Sequence, residues 1–277
     1  MSSKTDIKRS IQQQSHICVN TLWTGGLDST ARIVELSRKH VIVQPYYISD
    51  PNRGSTEYEK AAMKTILMRL NQDPNTKAEI LPVKEIPLGE VEPDSHITSS
   101  WNRLHQMYHV GSQYDFLARY AKQHGIILEV GIEKGEGRAQ NSINTDSRMV
   151  QFEDHTGTNY KISRKDSTDD VWNIYRYFTF PLWDKDKHQE VAMMEQLGCS
   201  DIIGMTWFCH DPLLGKPCGH CNPCKDARHY GFSWRLSASR TILWYFLRPR
   251  QAIRKLVETF ACMSFFQTKQ RCHLRMK

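Results

Sequence analysis

The stretch HICVNTLWTGGLDSTARIVELSRKHVIVQPYYI, residues 16–48, decides the fold. It opens with an apolar run, His16 to Trp23, that predicts a β-strand, and it closes with a second such run, Val41 to Ile48. Between them, Ser29 to His40 carries apolar residues at helical spacing, and two adjacent glycines precede this predicted helix. A strand, a helix and a second strand in this order are typical of a βαβ unit with parallel strands.

The same alternation continues along the chain. Further helices are predicted over Thr56 to Leu70, Gln113 to His124 and Asp186 to Leu197, and further strands over Ala78 to Ile86, Ile126 to Ile132 and Asp201 to Trp207. Pro82 lies within the third strand and predicts an edge or irregular position for it. Repeated alternation of this kind indicates a parallel sheet covered by helices on both faces. We therefore expect a doubly wound, Rossmann-like α/β domain over residues 1–207.

One polar stretch interrupts the pattern. It begins at Glu133, contains several glycines and is interpreted as an inserted loop or lid at about 133–180. Within it, the segment MVQFEDHTGTNYKI predicts a β-hairpin that turns around His155 to Thr158. Loops over the ends of parallel strands are where ligands bind.

The charge of the chain is unevenly distributed. The 277 residues carry 37 Lys and Arg against 30 Asp and Glu, a formal net charge of +7. The segment Arg248 to Lys277 holds eight of these cations and one acid, which leaves 29 of each sign in the rest. A balanced surface argues against nucleic-acid binding by the body, because phosphate contacts need a concentrated basic face.

The basic tail, residues 248–277, predicts a basic amphipathic helix between Pro249 and Phe266. Two roles stay open for it: docking to a protein partner, or packing on the body with its charges in solvent. The longest apolar run, Ile242 to Leu247, is far shorter than the roughly 20 residues of a membrane-spanning helix. Met1 to Ser15 lacks the apolar core of a secretion signal. We expect no membrane span, a cytoplasmic location and a possible homodimer.

A glycine-containing turn, WTGGLDST at residues 23–30, follows the first predicted strand. In a parallel sheet this turn faces the ligand crevice, and the helix that follows offers unpaired N–H groups and a partial positive charge. Two glycines with the hydroxyls of Thr24, Ser29 and Thr30 are suited to holding phosphate. The turn is not a Walker A loop. The alternative is ordinary turn chemistry, with Asp28 or Ser29 as a helix cap.

A cluster of cysteines lies near the end of the predicted domain, in the segment 208–247. Four of the eight cysteines fall within sixteen residues: Cys209, Cys218, Cys221 and Cys224. In a chain expected in the cytoplasm, this spacing indicates a metal site rather than disulfides. Four thiolates complete a tetrahedral Zn²⁺ shell with no open position, as in a structural zinc site. An iron–sulfur cluster is the alternative. His210 and His220 are not needed as ligands and are expected to face solvent.

The turn resembles the pyrophosphate loop, S-G-G-x-D-S, of the N-type ATP pyrophosphatases (the PP-loop family), with Thr24 in place of the first serine. In that family the loop holds the phosphates of ATP, the enzyme adenylates an oxygen of its substrate, and a nucleophile then displaces AMP. The resemblance implies ATP and Mg²⁺ as cofactors. It also implies that they are contacted by Thr24, Gly25, Gly26, Asp28, Ser29 and Thr30.

The turn, followed far downstream by this cysteine spacing, resembles the 7-cyano-7-deazaguanine synthases of this family. Their T-K-x-E segment is similar to Lys187 with Gln189-Glu190, their T-x-x-C to Thr206-Trp207-Phe208-Cys209, and their C-G-x-C-x-x-C to Cys218 to Cys224. The resemblance implies an ATP-dependent ligase that adenylates 7-carboxy-7-deazaguanine, releases AMP and pyrophosphate, and uses ammonia to form first the amide and then the nitrile. Asp28, Ser29 and Lys187 are the implied catalytic residues, since charge stabilisation around the phosphates governs such chemistry. An exposed lysine at a helix start is the alternative for Lys187.

Departures from the pattern surround the expected carboxylate pocket. The family's Y-G-Q-R-H is replaced by Ser49 to Arg53, and its G-x-N region by Gly131 to Arg138. A divergent relative in an anti-phage system could join the deazaguanine to a protein amine instead of ammonia, and Gln113 to Asp115 could line its pocket or simply start a helix. A tRNA-modifying enzyme of the same family and a non-catalytic nucleotide-binding interaction protein are further alternatives.

Overall fold

The computed structural model describes residues 17–135, 137–237 and 239. The predicted basic tail, 248–277, lies outside these residues. Nineteen elements are assigned, including two short 3₁₀ turns. The strands are β1 Cys18–Leu22, β2 Ile42–Ser49, β3 Glu79–Ile80, β4 Lys84–Pro87, β5 Leu128–Glu129, β6 Met149–Asp154, β7 Gly157–Ile162 and β8 Phe178–Thr179. The helices are α1 Leu27–Ser37, α2 Thr56–Asn71, α3 Ser95–Tyr108, α4 Gln113–His124, α5 Arg138–Asp146, α6 Asp169–Tyr175, α7 Lys187–Gln196, α8 Ser200–Met205 and α9 Asn222–His229.

The chain divides into two compact units between Phe208 and Cys209. The first is an α/β unit whose sheet has the order β3-β2-β1-β5-β8, with β4 also paired to β2. Every pairing in this sheet is parallel, and helices cover both sides. This bears out the expected α/β class with a parallel sheet. Among the described residues, no helix has the length and apolarity to cross a bilayer.

The strand order reverses beside β1. The chain runs from β1 to β2 on one side and later returns to β5 on the other, so the order reverses between β1 and β5. In open α/β sheets, ligands bind at this reversal, outside the carboxyl ends of the strands. The segments that follow β1, β5 and β8 meet at that edge.

The third predicted strand, Ala78 to Ile86, is divided into β3 and β4. Leu81 still donates its N–H to Val43 on β2 at 2.9 Å, and the strand then breaks at Pro82. Pro45 of β2, which has no N–H, lies two residues after Val43 and therefore faces the same neighbouring strand. The side-chain amide of Gln44 donates instead to the carbonyls of Pro45 and Pro82.

Two other predictions differ from the structure. The segment Asp201 to Trp207 is predicted as a strand, but its first five residues lie in helix α8, and β8 takes the place next to β5. A short run that contains Ile202 and Ile203 is buried in either conformation, so its apolarity does not decide between them. The stretch 133–180, interpreted as a loop, contains α5, the predicted hairpin β6–β7, α6 and finally β8.

The hairpin is joined to the sheet by a buried polar cluster. Arg32 of α1 is 2% exposed and donates two hydrogen bonds to Glu129 of β5. Its Nη2 also donates to the hydroxyl of Thr156 in the hairpin turn at 2.7 Å, and Asn159 of β7 donates to Glu129 at 3.2 Å. These contacts satisfy a charge pair inside the unit, where an unpaired charge would be costly.

Candidate functional site

The turn between β1 and α1 leads directly into the amino end of a helix. Gly26 is the N-cap of α1 and no side chain caps that helix, which excludes the alternative of a capping role for Asp28 or Ser29. The backbone N–H of Thr24 donates to Ser29 Oγ at 3.2 Å, and the two hydroxyls are also 3.2 Å apart. The turn is thus held closed by its own hydroxyls, and the amino end of an eleven-residue helix opens onto it.

Gly25 shapes this turn from within. It is buried and adopts φ +69°, and a Cβ at this position would lie 2.8 Å from the carbonyl oxygen of Glu59 on α2. Its own carbonyl accepts a 2.7 Å hydrogen bond from the backbone N–H of Trp207. The ring of Trp207 stacks on Tyr58 with centroids 4.6 Å apart. Gly25 therefore allows the backbones to pack closely, whereas Gly26 is half-buried.

The structure places the remaining residues of the turn at different depths. Asp28 is half-exposed, Thr24 is half-buried and Ser29 is buried. Thr30 is fully buried, and its hydroxyl accepts a hydrogen bond from the indole of Trp23 at 3.0 Å. Thr30 thus packs in the interior, and the turn presents Thr24, Gly26 and Asp28 as its accessible part.

Lys187 lies beside this turn. It is the first residue of α7, and its ammonium is 2.6 Å from Asp28 Oδ1 and 2.5 Å from Glu133 Oε2. Burial alone would lower the pKa of Lys187, but the two carboxylates outweigh burial and raise it well above its ordinary value. The side chain is therefore a fixed cation at neutral pH. Lys185, which looks equivalent in sequence, instead lies 3.3 Å from Asp184.

A third carboxylate completes the cluster. Glu190, one turn after Lys187 on α7, is fully buried, and among the described residues neither of its carboxylate oxygens has a hydrogen-bond partner. Burial, and then the negative charge of Asp28, raise the pKa of Glu190 well above its usual value. Carboxylate oxygens of Asp28, Glu133 and Glu190 all lie within 4.8 Å of one another.

Glu133 and Glu190 were not expected in the site. Glu133 lies four residues after the end of β5, and the ligand sites of parallel sheets lie outside the carboxyl ends of the strands. The polar stretch that it opens obscured this position. Gly131, two residues earlier, packs against Asp28 and Ser29, where an added Cβ would lie 3.4 Å from the amide of Ser29. The segment after β5 thus lies against the turn after β1.

The second unit carries the cysteine cluster. All four predicted sulfurs lie within 4.8 Å of one another, and the Cys218–Cys224 and Cys209–Cys221 pairs are each 3.9 Å apart. A tetrahedral ion with metal–sulfur bonds of 2.3 Å requires sulfurs about 3.8 Å apart. The cluster therefore fits one tetrahedral metal ion such as zinc, with four thiolates and no further ligand.

Backbone amides surround these sulfurs. Cys218 donates its N–H to Cys209 Sγ at 3.1 Å, and His220 and Cys221 donate theirs to Cys218 Sγ at 3.4 and 3.3 Å. Such hydrogen bonds stabilise thiolate charge, as a bound metal ion requires. His210 is exposed as expected, but His220 is half-buried, with Nε2 3.3 Å from Asp211.

The start of α4 holds the residues that the sequence offers as a pocket wall. Gln113 to Asp115 form its first turn, and the carboxylate of Asp115 accepts hydrogen bonds from Thr98 at 2.7 Å and from Arg119 at 2.9 Å. Asp115 is buried, and its carboxylate is occupied by these hydrogen bonds. This agrees with the simpler interpretation of a helix start.

No protein-family model matches the chain, and no curated protein matches it either.

Proposed function

We propose that this chain is an ATP-dependent carbon–nitrogen ligase that adenylates a small-molecule carboxylate, with 7-carboxy-7-deazaguanine as the candidate substrate. The adenylation is supported by one observation above all: Lys187, 159 residues distant from Asp28 in sequence, lies against it at the mouth of the turn after β1. The substrate is supported by the motif resemblance alone.

The arrangement suits attack on the α-phosphorus of ATP. The amides at the start of α1 favour anions, because the first N–H groups of a helix have no acceptor within the helix and lie at its positive end. Lys187 adds a permanent positive charge beside them. As the carboxylate oxygen of the substrate bonds to the α-phosphorus, the bond to pyrophosphate breaks and negative charge grows on the leaving group. Positive groups held beside the leaving group stabilise that charge.

The acyl adenylate formed in this step carries AMP as its leaving group. Ammonia then displaces AMP and the amide forms, and a second round with ATP converts the amide to the nitrile. Mg²⁺ bound to the phosphates would supply further charge neutralisation, and the carboxylate of Asp28 is a suitable oxygen ligand for it. Zinc at the four cysteines would have a structural role, because the shell has no open position.

Product analysis by mass spectrometry tests this function. The full chain is incubated with ATP, Mg²⁺, 7-carboxy-7-deazaguanine and ammonia, and AMP, pyrophosphate, amide and nitrile are quantified. We expect AMP formation that depends on the carboxylate. Failure of the zinc-loaded protein to form AMP would reject the proposal. If the deazaguanine is instead joined to an added protein amine, the adenylation step of the proposal stands and the acceptor is the protein amine, not ammonia.

Two lysines provide a matched comparison. Lys187→Met and Asp28→Asn should reduce AMP formation by roughly a hundredfold or more, which is typical for the loss of a charged group that stabilises a transition state. Lys185→Met, two residues away, should retain activity close to that of the wild type. Equal activities of the Lys187 and Lys185 variants would contradict the assignment of Lys187.

A further inference from the structure

Three carboxylates and one ammonium group meet beside the turn after β1. Asp28 comes from α1, Glu133 from the segment after β5, and Lys187 and Glu190 from the first two turns of α7. Lys187 contacts Asp28 and Glu133 directly. With all groups ionised, three negative charges and one positive charge leave a formal charge of −2.

The burial of Glu190 is not explained by the ion pairs of Lys187 with Asp28 and Glu133. Its side chain is fully excluded from solvent, and within the described part of the chain its two oxygens accept no hydrogen bond. Its carboxylate lies within 4.8 Å of those of Asp28 and Glu133, so it points into the cluster. A buried acid that accepts no hydrogen bond from the described residues costs free energy, and a cation between the three carboxylates would reduce this cost.

The geometry is close to that of a hard-cation site. Oxygen ligands of an octahedral Mg²⁺ at about 2.1 Å are about 3 Å apart when adjacent and about 4.2 Å apart when opposite. Three oxygens within 4.8 Å reach these spacings with small side-chain adjustments. Carboxylate oxygens favour Mg²⁺ or Mn²⁺ over softer metals. With Glu190 ionised as one of its ligands, a divalent cation would bring the formal charge of the cluster from −2 to zero.

We propose that Asp28, Glu133 and Glu190 form a divalent-cation site that fills without nucleotide, and that Lys187 competes with the cation for two of its three ligands. In the metal-free protein the ammonium holds Asp28 and Glu133 together. When the cation binds, these oxygens become its ligands and Lys187 is released toward the turn. The inference concerns the same site as the proposed function, but it is tested with metal alone.

Titration of the zinc-loaded full chain with Mn²⁺ in the absence of nucleotide tests the proposal. Electron paramagnetic resonance measures free Mn²⁺, and calorimetry gives the affinity. We expect one Mn²⁺ per chain outside the zinc site. Glu190→Gln should weaken binding by about tenfold or more, because a charged ligand is lost. Lys187→Met should strengthen it by about tenfold, because a competing cation is removed. Glu195→Gln, an exposed change on the same helix, should leave it unaltered.

A stability measurement separates this role from a structural one. In metal-free buffer, Glu190→Leu should raise the melting temperature, because an unpartnered buried acid is replaced by an apolar side chain. Saturating Mn²⁺ should raise the melting temperature of the wild type but not of Glu190→Leu. The proposal is overturned if the wild type binds no Mn²⁺ at millimolar concentration or if Glu190→Gln leaves the affinity unchanged. Mn²⁺ binding without AMP formation would reject the ligase activity and keep the cation site. AMP formation without Mn²⁺ binding in the absence of nucleotide would keep the ligase activity and reject the cation site.

Discussion

The guanidinium of Arg32 and the carboxylate of Glu129 form two hydrogen bonds of 2.8 and 2.7 Å inside the α/β unit. Burial alone would lower the pKa of Arg32, but hydrogen bonding and the charge of Glu129 raise it. Arg32 lies one turn after Asp28 on α1, and Glu129 lies four residues before Glu133. The pair therefore joins the two chain segments that carry acids of the candidate site.

Replacing one member of this pair should be strongly destabilising. Arg32→Met leaves the buried carboxylate of Glu129 without its cation and with the hydrogen bond from Asn159, which costs about 3–5 kcal/mol of unfolding free energy. Urea denaturation measures the loss. Arg164→Met removes an arginine that is 55% exposed and pairs with Asp169, and it should cost no more than about 1 kcal/mol. A loss for Arg32→Met as small as that of this control would contradict the buried pair.

Gly25→Ala should reduce the stability of the fold by more than the strain of its backbone angle alone explains. At φ +69° an alanine is strained by about 1–2 kcal/mol, and its Cβ would also lie 2.8 Å from the carbonyl of Glu59. Gly198 has φ +72° and no atom within 4 Å of an added Cβ, so Gly198→Ala measures the angle without the clash. Thermal denaturation of both variants isolates the steric contribution. Equal losses of stability in the two variants would show that α2 moves away from the added methyl group without a free-energy cost.

Asp73 predicts a defined dependence of stability on pH. A hydrogen bond from the amide of Asn75, and then those from Arg38 and Arg69, lower the pKa of Asp73 from 3.8 to about 2. The folded state therefore favours the ionised carboxylate of Asp73. The stability that this carboxylate contributes is present above pH 3.8 and is lost as the pH falls through 2.

Urea denaturation of the wild type and Asp73→Asn at pH values from 2 to 7 tests this sign. The stability difference between them should shrink as the pH falls below 4. Asp169→Asn, at a side chain that is 81% exposed, serves as the control and should show little difference from the wild type at any pH. A constant difference between the wild type and Asp73→Asn would contradict the prediction.

Loss of one cysteine of the cluster should release the metal. Cys209→Ser is expected to lower the zinc content from one ion per chain to near zero and to lower the melting temperature, because the binding free energy of a structural zinc is largely folding free energy. Elemental analysis and thermal denaturation measure the two effects. Cys18→Ser, at an exposed cysteine outside the cluster, should change neither. A Cys209→Ser protein with full zinc content would contradict the four-sulfur shell.

The fold was predictable where the sequence is strongly periodic. The buried strands β1 and β2 were found, and α4 was predicted with the same bounds that the structure shows, because Gly125 ends it in a left-handed C-cap. Helix α8 was predicted as a strand because six residues are too few to display a helical period. The strand β8 has two residues and offers no pattern of its own.

The candidate site was predictable in its motifs but not in its buried acids. The turn of residues 24–30 and the four cysteines are dense local signals, so spacing alone marks them. Glu190 looks like any glutamate on a helix, and its burial arises only where α7 packs against α1. Lys187 could not be distinguished from Lys185 for the same reason: tertiary packing decides which of the two meets Asp28.

The buried carboxyl of Glu190, which accepts no hydrogen bond within the described residues, also has an evolutionary consequence. Most proteins sit near a stability threshold, so a residue that weakens the resting fold is kept only while its use repays selection. In descendants of this chain that stop needing the site, leucine, methionine or glutamine at position 190 should be among the earliest changes to spread. The residue at position 190 would then distinguish proteins that still use the site from proteins that have lost its function, before Gly25 or Gly26 had been replaced.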